Sequence, residues 1–394
     1  MPMAFRTVEQ LDVTGKRVLV RVDFNVPLDG EQITDDTRIR AALPTIHALL
    51  DRDASVILVS HLGRPKGKVD RKYSLRPVAD RLEGLLGAPV TFADDVVGPS
   101  AQQIAREIQP GQVALLENVR FEPGEEQNDD ALSSELAALA DVYVNDAFGA
   151  AHRAHASTAG VAGKLPCAAG LLMERELSAL ARALDNPARP LVVLLGGAKI
   201  SDKIGVIRKF LSAADAILVG GGIANTLLAA QGHEMGRSLV EQGSLDVARE
   251  ILRDAEHSSC ALIIPTDYVV ATSPADAANA RTVTDVGVDD AVFDIGPASV
   301  AAFDAWIRRA ATIVWNGPMG LFEVAPFDAG TRAVAEAVAS SPGYSIVGGG
   351  DSVAAIHQTG LADKIDHIST GGGASLEYLE GRTLPGVAVL EVTT

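Results

Sequence analysis

The chain has 394 residues, 47% of them hydrophobic but only 4% aromatic, and a formal net charge of −17 at pH 7. Two domains are the default, because single cores stop growing near roughly 250–300 residues, and cores this poor in rings must be built from Val, Leu, Ile and Ala, as in helix-covered parallel sheets. The acidic balance argues against a general affinity for nucleic acid or anionic membrane, since both need a basic face. Cys167 and Cys260 lie far apart with no ligand spacing and read as small packed residues. The start, MPMAFRTVEQ, has no apolar h-region, and no run of about 18 apolar residues occurs, so the expectation is a soluble, cytoplasmic protein.

Short apolar runs bounded by turn residues occur at Val18 to Val22, Val56 to Val59, Val113 to Leu116 and Val142 to Val144. Between them, Leu43 to Leu50 and Val78 to Leu86 carry apolar residues at helical spacing. Alternation of this kind predicts βαβ units and a mostly parallel sheet. The strands are followed by Asp23-Phe24-Asn25, His61-Leu62-Gly63-Arg64, Glu117-Asn118-Val119-Arg120 and Asn145-Asp146. In a parallel sheet these ends share one edge, where open α/β sheets bind ligands.

Leu171 to Leu184 has helical spacing and is closed by Asp185-Asn186-Pro187, which makes it a candidate helix joining two domains. Next comes P-LVVLL-GGAKISDK, Pro190 to Lys203. Leu191 to Leu195 reads as a strand buried on both faces, Gly196 and Gly197 allow close approach of a ligand, and Lys199 and Lys203 would share one face if a helix followed directly. Such a segment suits phosphate.

The second half repeats the alternation. Runs at Ala216 to Val219, Leu262 to Ile264, Thr312 to Trp315, Ser345 to Val347 and His367 to Ser369 lead into Gly220-Gly221-Gly222, Pro265-Thr266-Asp267, Asn316-Gly317-Pro318, Gly348-Gly349-Gly350-Asp351 and Thr370-Gly371-Gly372-Gly373. A final strand is predicted over Val387 to Val392.

The first edge offers Arg38, Arg64, Arg120 and Arg153 with His61 and His155, and guanidinium groups at strand ends suit an anion with several oxygens. Asp23 and Asn25 can serve hydroxyl groups of the same ligand. His152 and His155 have no cysteine or carboxylate partners at metal-ligand spacing. The second edge offers glycine turns with room for a flat ring or a polyphosphate, yet both GxxxxGK[ST] and a convincing GxGxxG are absent. Asp351 suits Mg²⁺ or, with Ser352, a helix N-cap. The run Gly371 to Gly373 reads as a helix start whose free N–H groups favour a phosphoryl group.

The motifs RVDFNVP (21–27), SHLGRPKG (60–67), LLENVRF (115–121), NDAFGAAHRAHAS (145–157), LGGAKISDKI (195–204), WNGPMGLFE (315–323), GGGDSVAA (348–355) and STGGGASLE (369–377) resemble phosphoglycerate kinase, in that family's order and over nearly the whole chain. The resemblance implies an α/β fold of two doubly wound parallel-sheet, Rossmann-like domains joined by a hinge helix. Residues 1–170 would bind 3-phosphoglycerate, 171–189 would form the inter-domain helix and hinge, 190–375 would bind nucleotide, and 376–394 would return as a tail to the first domain.

By the matching motifs, Asp23, Asn25, Arg38, His61, Leu62, Gly63, Arg64, Arg120 and Arg153 would hold 3-phosphoglycerate. Lys199 and Lys203 would contact the nucleotide phosphates, Glu323 the ribose and Asp351 the metal. Gly197, Gly221, Gly222, Gly296, Asn316, Pro318, Gly349, Gly350 and Ser352 would complete the nucleotide site, with Ser352 standing where the family usually has threonine. The implied reaction is phosphoryl transfer between MgATP and the carboxylate of 3-phosphoglycerate by a monomeric cytoplasmic enzyme, with Arg38, Lys199 and the Gly371 and Gly372 amides acting on the transferring group, and with domain closure. The rivals are a nucleotide-linked dehydrogenase, which lacks its fingerprint here, and a non-catalytic phosphoanion-binding protein of the same fold.

Overall fold

Every apolar run named above forms a strand of a parallel sheet except the last. A computed structural model describes residues 5–391. They fall into two compact units, one comprising residues up to Ser178 together with those from Thr383 onward, the other Ala179–Arg382.

In the first unit β1 (Arg17–Arg21) is followed by a small hairpin, β2 (Leu28–Asp29) and β3 (Gln32–Ile33), then α1 (Thr37–Leu50), β4 (Ser55–Val59), α2 (Arg76–Leu86) and β5 (Val90–Phe92). After these come α3 (Pro99–Glu107), β6 (Val113–Leu115), α4 (Asp130–Ala138), β7 (Val142–Asn145) and β8 (Cys167–Ala169), leading into α5 (Leu171–Leu184). The sheet order is β5-β6-β4-β1-β7-β8, all parallel. Alternation along the strands supplies both faces. Val18, Val20, Val56 and Leu58 pack with Ile39 and Ile46 of α1 and Leu82 of α2, while Leu19, Ile57 and Tyr143 pack with Ala105 of α3 and Leu136 of α4. The Asp146 carboxylate, just past β7, accepts from the Leu172 and Met173 amides at 2.9 and 3.2 Å and so satisfies free N–H groups at the start of α5.

The second unit contains β9 (Leu191–Leu195), α6 (Ile204–Leu211), β10 (Ala216–Val219), α7 (Gly221–Ala230), α8 (Leu245–Glu256) and β11 (Ala261–Ile263). An antiparallel trio, β12 (Tyr268–Ala271), β13 (Arg281–Val283) and β14 (Ala291–Ile295), comes next. The chain then returns through α9 (Pro297–Ile307), β15 (Thr312–Asn316), α10 (Ala329–Ser340), β16 (Tyr344–Gly348), α11 (Gly350–Thr359), β17 (His367–Ile368) and α12 (Gly373–Leu379). The main sheet is parallel with order β11-β10-β9-β15-β16-β17. On one face Val192, Leu194, Ile313 and Trp315 pack with Phe303 of α9, Val334 of α10 and Ile356 of α11.

The strand expected over Val387 to Val392 does not form. Pro385–Ala388 make a single helical turn, α13, because Pro385 sits at the first helical position, where its fixed φ and missing N–H suit a helix start. Glu391 makes only an isolated antiparallel bridge to Phe5, and Val392 lies outside the described residues. No helix among the described residues is long and apolar enough to cross a membrane.

Candidate active site

In the first unit the C-terminal ends of β1, β4, β6 and β7 deliver the expected polar groups to one edge. Asp23 Oδ1 accepts from the Asn25 amide at 3.2 Å, and Oδ2 accepts from Arg38 Nη1, near the start of α1, at 2.7 Å. Asn25 Oδ1 takes the Gly63 amide at 2.8 Å, and Arg120 Nη1 donates to the Gly63 carbonyl at 2.8 Å. Gly63 has φ +61, and a Cβ there would lie 2.4 Å from the Tyr73 ring, so this tight turn admits only glycine. Leu62 is fixed by Asn118, which accepts from its amide and donates to its carbonyl.

His61 is buried, with Nδ1 3.2 Å from Arg21 Nη2 and 4.0 Å from Asp23 Oδ1. Burial, then the cations Arg21, Arg120 and Arg38, push its pKa well below the usual imidazole value against the opposing pull of Asp23. Burial would raise the Asp23 carboxyl, and His61, Arg38, Arg21 and the Asn25 amide oppose that. Arg64 and Arg153 are exposed, and Arg153 Nε donates to His152 Nε2 at 3.2 Å. Burial lowers the Arg120 pKa, and Arg21 and Arg153 add to the effect.

In the second unit the glycine turns pack on one another. A Cβ at Gly222, in the first turn of α7, would lie 2.2 Å from the Ala198 carbonyl, and one at Gly317 (φ +98) 2.1 Å from the Gly196 carbonyl. These approaches frame a cavity of about 670 Å³ whose lining includes Gly197, Gly221, Gly222, Pro318, Glu323 and Asp351. Its apolar walls come from Leu239, Tyr268, Val292 and Phe293, which the sequence reading did not single out. They belong to the antiparallel trio and the α7–α8 connection, whose short alternating runs resemble any half-exposed ribbon. The cavity combines an apolar wall with a glycine rim, as a ligand with a flat ring and a polar tail requires.

The condition for the two lysines to share a face, a helix running on directly from the glycines, is not met. Residues 200–203 form a turn, closed by the Lys203 amide on the Ile200 carbonyl, and α6 begins only at Ile204 with Lys203 as its N-cap. Lys199 is exposed, and Glu241 Oε2 accepts from the Ser201 amide at 3.0 Å, holding this turn. Lys203 is half-buried, and burial lowers its pKa to about 8 against Asp202, Asp351 and Glu380.

Asp351 is not an N-cap either. Gly349, at φ +91, caps α11, and Asp351 stands exposed in the first turn. Ser352 is buried, and its Oγ accepts from the Gly317 amide at 2.5 Å. Asn316 and Gly349 are neighbours, since a Cβ on Gly349 would meet the Asn316 amide nitrogen at 3.0 Å, and Gly350 opens α11. Gly296 is not among the cavity-lining residues; it caps α9 beside the Asp267 carboxylate. Gly372 caps α12 at φ +53, leaving Gly371 and Gly372 at its N-terminal end. Among the described residues no group of three or more His, Cys, Asp or Glu could hold a metal ion. Asp351, an exposed carboxylate in the cavity lining, suits a hard cation that takes its remaining oxygens from phosphate and water.

The family model described as phosphoglycerate kinase matches residues 8–382. Similar curated proteins include the phosphoglycerate kinase of Roseiflexus sp. (strain RS-1), 58% identical over 392 residues with 98% of this chain and 99% of that protein covered. Another is that of Moorella thermoacetica, 55% identical over 390 residues with 98% and 99% covered. Among solved structures, phosphoglycerate kinase from Coxiella burnetii superposes with a TM-score of 0.89 at 43% identity, covering 98% of this chain and 99% of that one.

Proposed function

The chain belongs to the phosphoglycerate kinase family, and from that premise we propose a division of labour in which the first unit binds 3-phosphoglycerate and the second binds the nucleotide. The reaction is reversible phosphoryl transfer between ATP and the carboxylate of 3-phosphoglycerate, giving ADP and 1,3-bisphosphoglycerate. The observation that carries the division is the contrast between the two edges. One gathers Arg38, Arg120 and His61 around Asp23 and Asn25, and the other rims an apolar cavity with glycine amides, Glu323 and Asp351.

The acceptor carboxylate is ionised at pH 7 and needs no general base. Catalysis is then positioning and charge stabilisation. Arg38 orients the acceptor and meets the charge of the transferring group, Lys199 meets it from the nucleotide side, and the Gly371 and Gly372 amides add neutral donors. Lys203 grips the nucleotide phosphates, Glu323 takes the ribose, and Arg64, Arg120 and Arg153 hold the phosphate end of the acceptor. Asp351 would hold Mg²⁺, which supplies charge neutralisation of the phosphate oxygens when bound.

Because acceptor and donor groups belong to different units, turnover requires them to meet, with the segment 171–189 as hinge and residues 376–394 as the tail serving the first domain. We read the enzyme as a cytoplasmic monomer. A coupled assay with ATP, Mg²⁺ and 3-phosphoglycerate tests the activity, and no turnover there would overturn this reading. A scattering profile unchanged by both substrates together would count against closure.

A further inference from the structure

We propose that Glu125, which lies outside the phosphoglycerate set, is a positioning residue for it: through Ser157 and Arg21 it fixes His61 as the tautomer that carries its proton on Nε2. What His61 binds rests on the reading above; the geometry does not.

Arg21 ends β1 with its side chain fully buried. Its Nη1 donates to the Val22 carbonyl at 2.5 Å, Nε to Ser157 Oγ at 2.7 Å, and Nη2 lies 3.2 Å from His61 Nδ1. A guanidinium has only donors, so His61 Nδ1 must be the acceptor. The neutral ring then presents Nε2–H.

A buried guanidinium also needs a counter-charge. Glu125 is equally buried, with Oε1 3.9 Å from Arg21 Nη2. Ser157 donates to it twice, from Oγ to Oε1 at 2.6 Å and from the amide to Oε2 at 2.9 Å. The Ser157 hydroxyl therefore has one direction only: it gives its proton to Glu125 and its lone pair to Arg21. Three separate chain segments, β1, the loop after β6 and the segment after β7, close this relay.

The carboxylate facing His61 is Asp23, with Oδ1 4.0 Å from Nδ1, and its other oxygen holds Arg38. With Glu125 uncharged, Arg21 is drawn towards Asp23 and competes with Arg38 for it, so a change at a residue remote from substrate reaches two groups that face it. The depressed His61 pKa, caused by burial and by Arg21, Arg120 and Arg38 against Asp23, agrees with a neutral ring.

The test uses the full-length, ¹⁵N-labelled protein without substrate, followed by kinetics. Wild-type His61 is expected to show a pyridine-type Nδ1 and a pyrrole-type Nε2 at pH 7; a proton on Nδ1, or an imidazolium, overturns the proposal. Glu125→Gln keeps shape and an acceptor but removes charge. It should lose the single-tautomer pattern and raise KM for 3-phosphoglycerate about tenfold while kcat and KM for ATP stay within about twofold. Ser157→Ala cuts the relay with the Glu125 charge in place and should shift the His61 spectrum the same way, which keeps the proposal testable if Glu125→Gln does not fold. An unchanged spectrum and KM in whichever variant folds overturns the role of Glu125. A wild-type Nε2–H pattern in a protein without turnover would instead refute only the functional reading.

Discussion

Arg38 Nη1 donates to Asp23 Oδ2 at 2.7 Å, so the cation proposed to meet the transferring group is held beforehand by a carboxylate of its own acceptor set. Its geometry is preset by the fold rather than found on encounter. Arg38→Ala should lower kcat by on the order of 10²–10³, the usual loss for one transition-state charge contact. Steady-state kinetics decide the matter: a change confined to KM would make Arg38 a binding group alone.

Lys203 has a pKa lowered to about 8, chiefly by burial. Above that pH its ammonium is depleted, and arriving phosphates restore it, so nucleotide binding should take up a proton between about pH 8 and 9. Calorimetry in two buffers of different ionisation enthalpy measures this uptake. The effect should vanish in Lys203→Met, and equal heats in both buffers for the wild type would refute it.

Asp351 is exposed in the first turn of α11 and belongs to the cavity lining. Asp351→Ala should weaken binding of the metal–nucleotide complex and leave 3-phosphoglycerate affinity alone. Equal loss of both in separate titrations would contradict the assignment of the two ligands to different units.

Ser352 Oγ is the acceptor for the Gly317 amide in a buried setting. Ser352→Ala strands that N–H and should cost about 1–3 kcal/mol in denaturant unfolding, with a raised KM for ATP. Ser352→Thr keeps the hydroxyl and should retain both; a threonine variant as impaired as alanine would show that bulk, not the acceptor, matters there.

Two buried carboxyls, Asp146 and Asp294, are raised by burial from 3.8 to about 7. The folded protein then holds more protons than the unfolded chain between those values. Their contribution to stability is full below about pH 4 and is lost as pH rises through about 7. The thermal midpoint should therefore fall from pH 5 to pH 8, and Asp146→Asn combined with Asp294→Asn should flatten that slope. An equally steep slope in the double variant would rule these groups out as its source.

Continuous apolar runs made much of the fold legible. Leu191–Leu195, Ala216–Val219 and the helix Leu171–Leu184 form with the bounds their patterns predict, because strands buried on both faces leave no polar residue to blur the ends. The strands Val90–Phe92 and Cys167–Ala169 escaped notice because Thr91 interrupts the first and only small residues make up the second, so neither is an apolar run. The acceptor edge was legible for a related reason: polar residues that end buried parallel strands must share an edge, so Asn25 and Arg120 meet at Gly63.

The sequence by itself determined the α/β class, the two-fold alternation of strands and helices, and the residues that end each strand, since all of these follow from local hydrophobic period and turn chemistry. Only the tertiary structure decided that Lys203 caps α6 instead of sharing a helix face with Lys199, that Tyr268 and Phe293 line the cavity, and that buried Arg21 lies between Glu125, 3.9 Å away, and His61, 3.2 Å away. A charge pattern does not say which ions lose their water. Burial decides that, and burial depends on segments as distant in sequence as Arg21 and Ser157 closing on the same interior point.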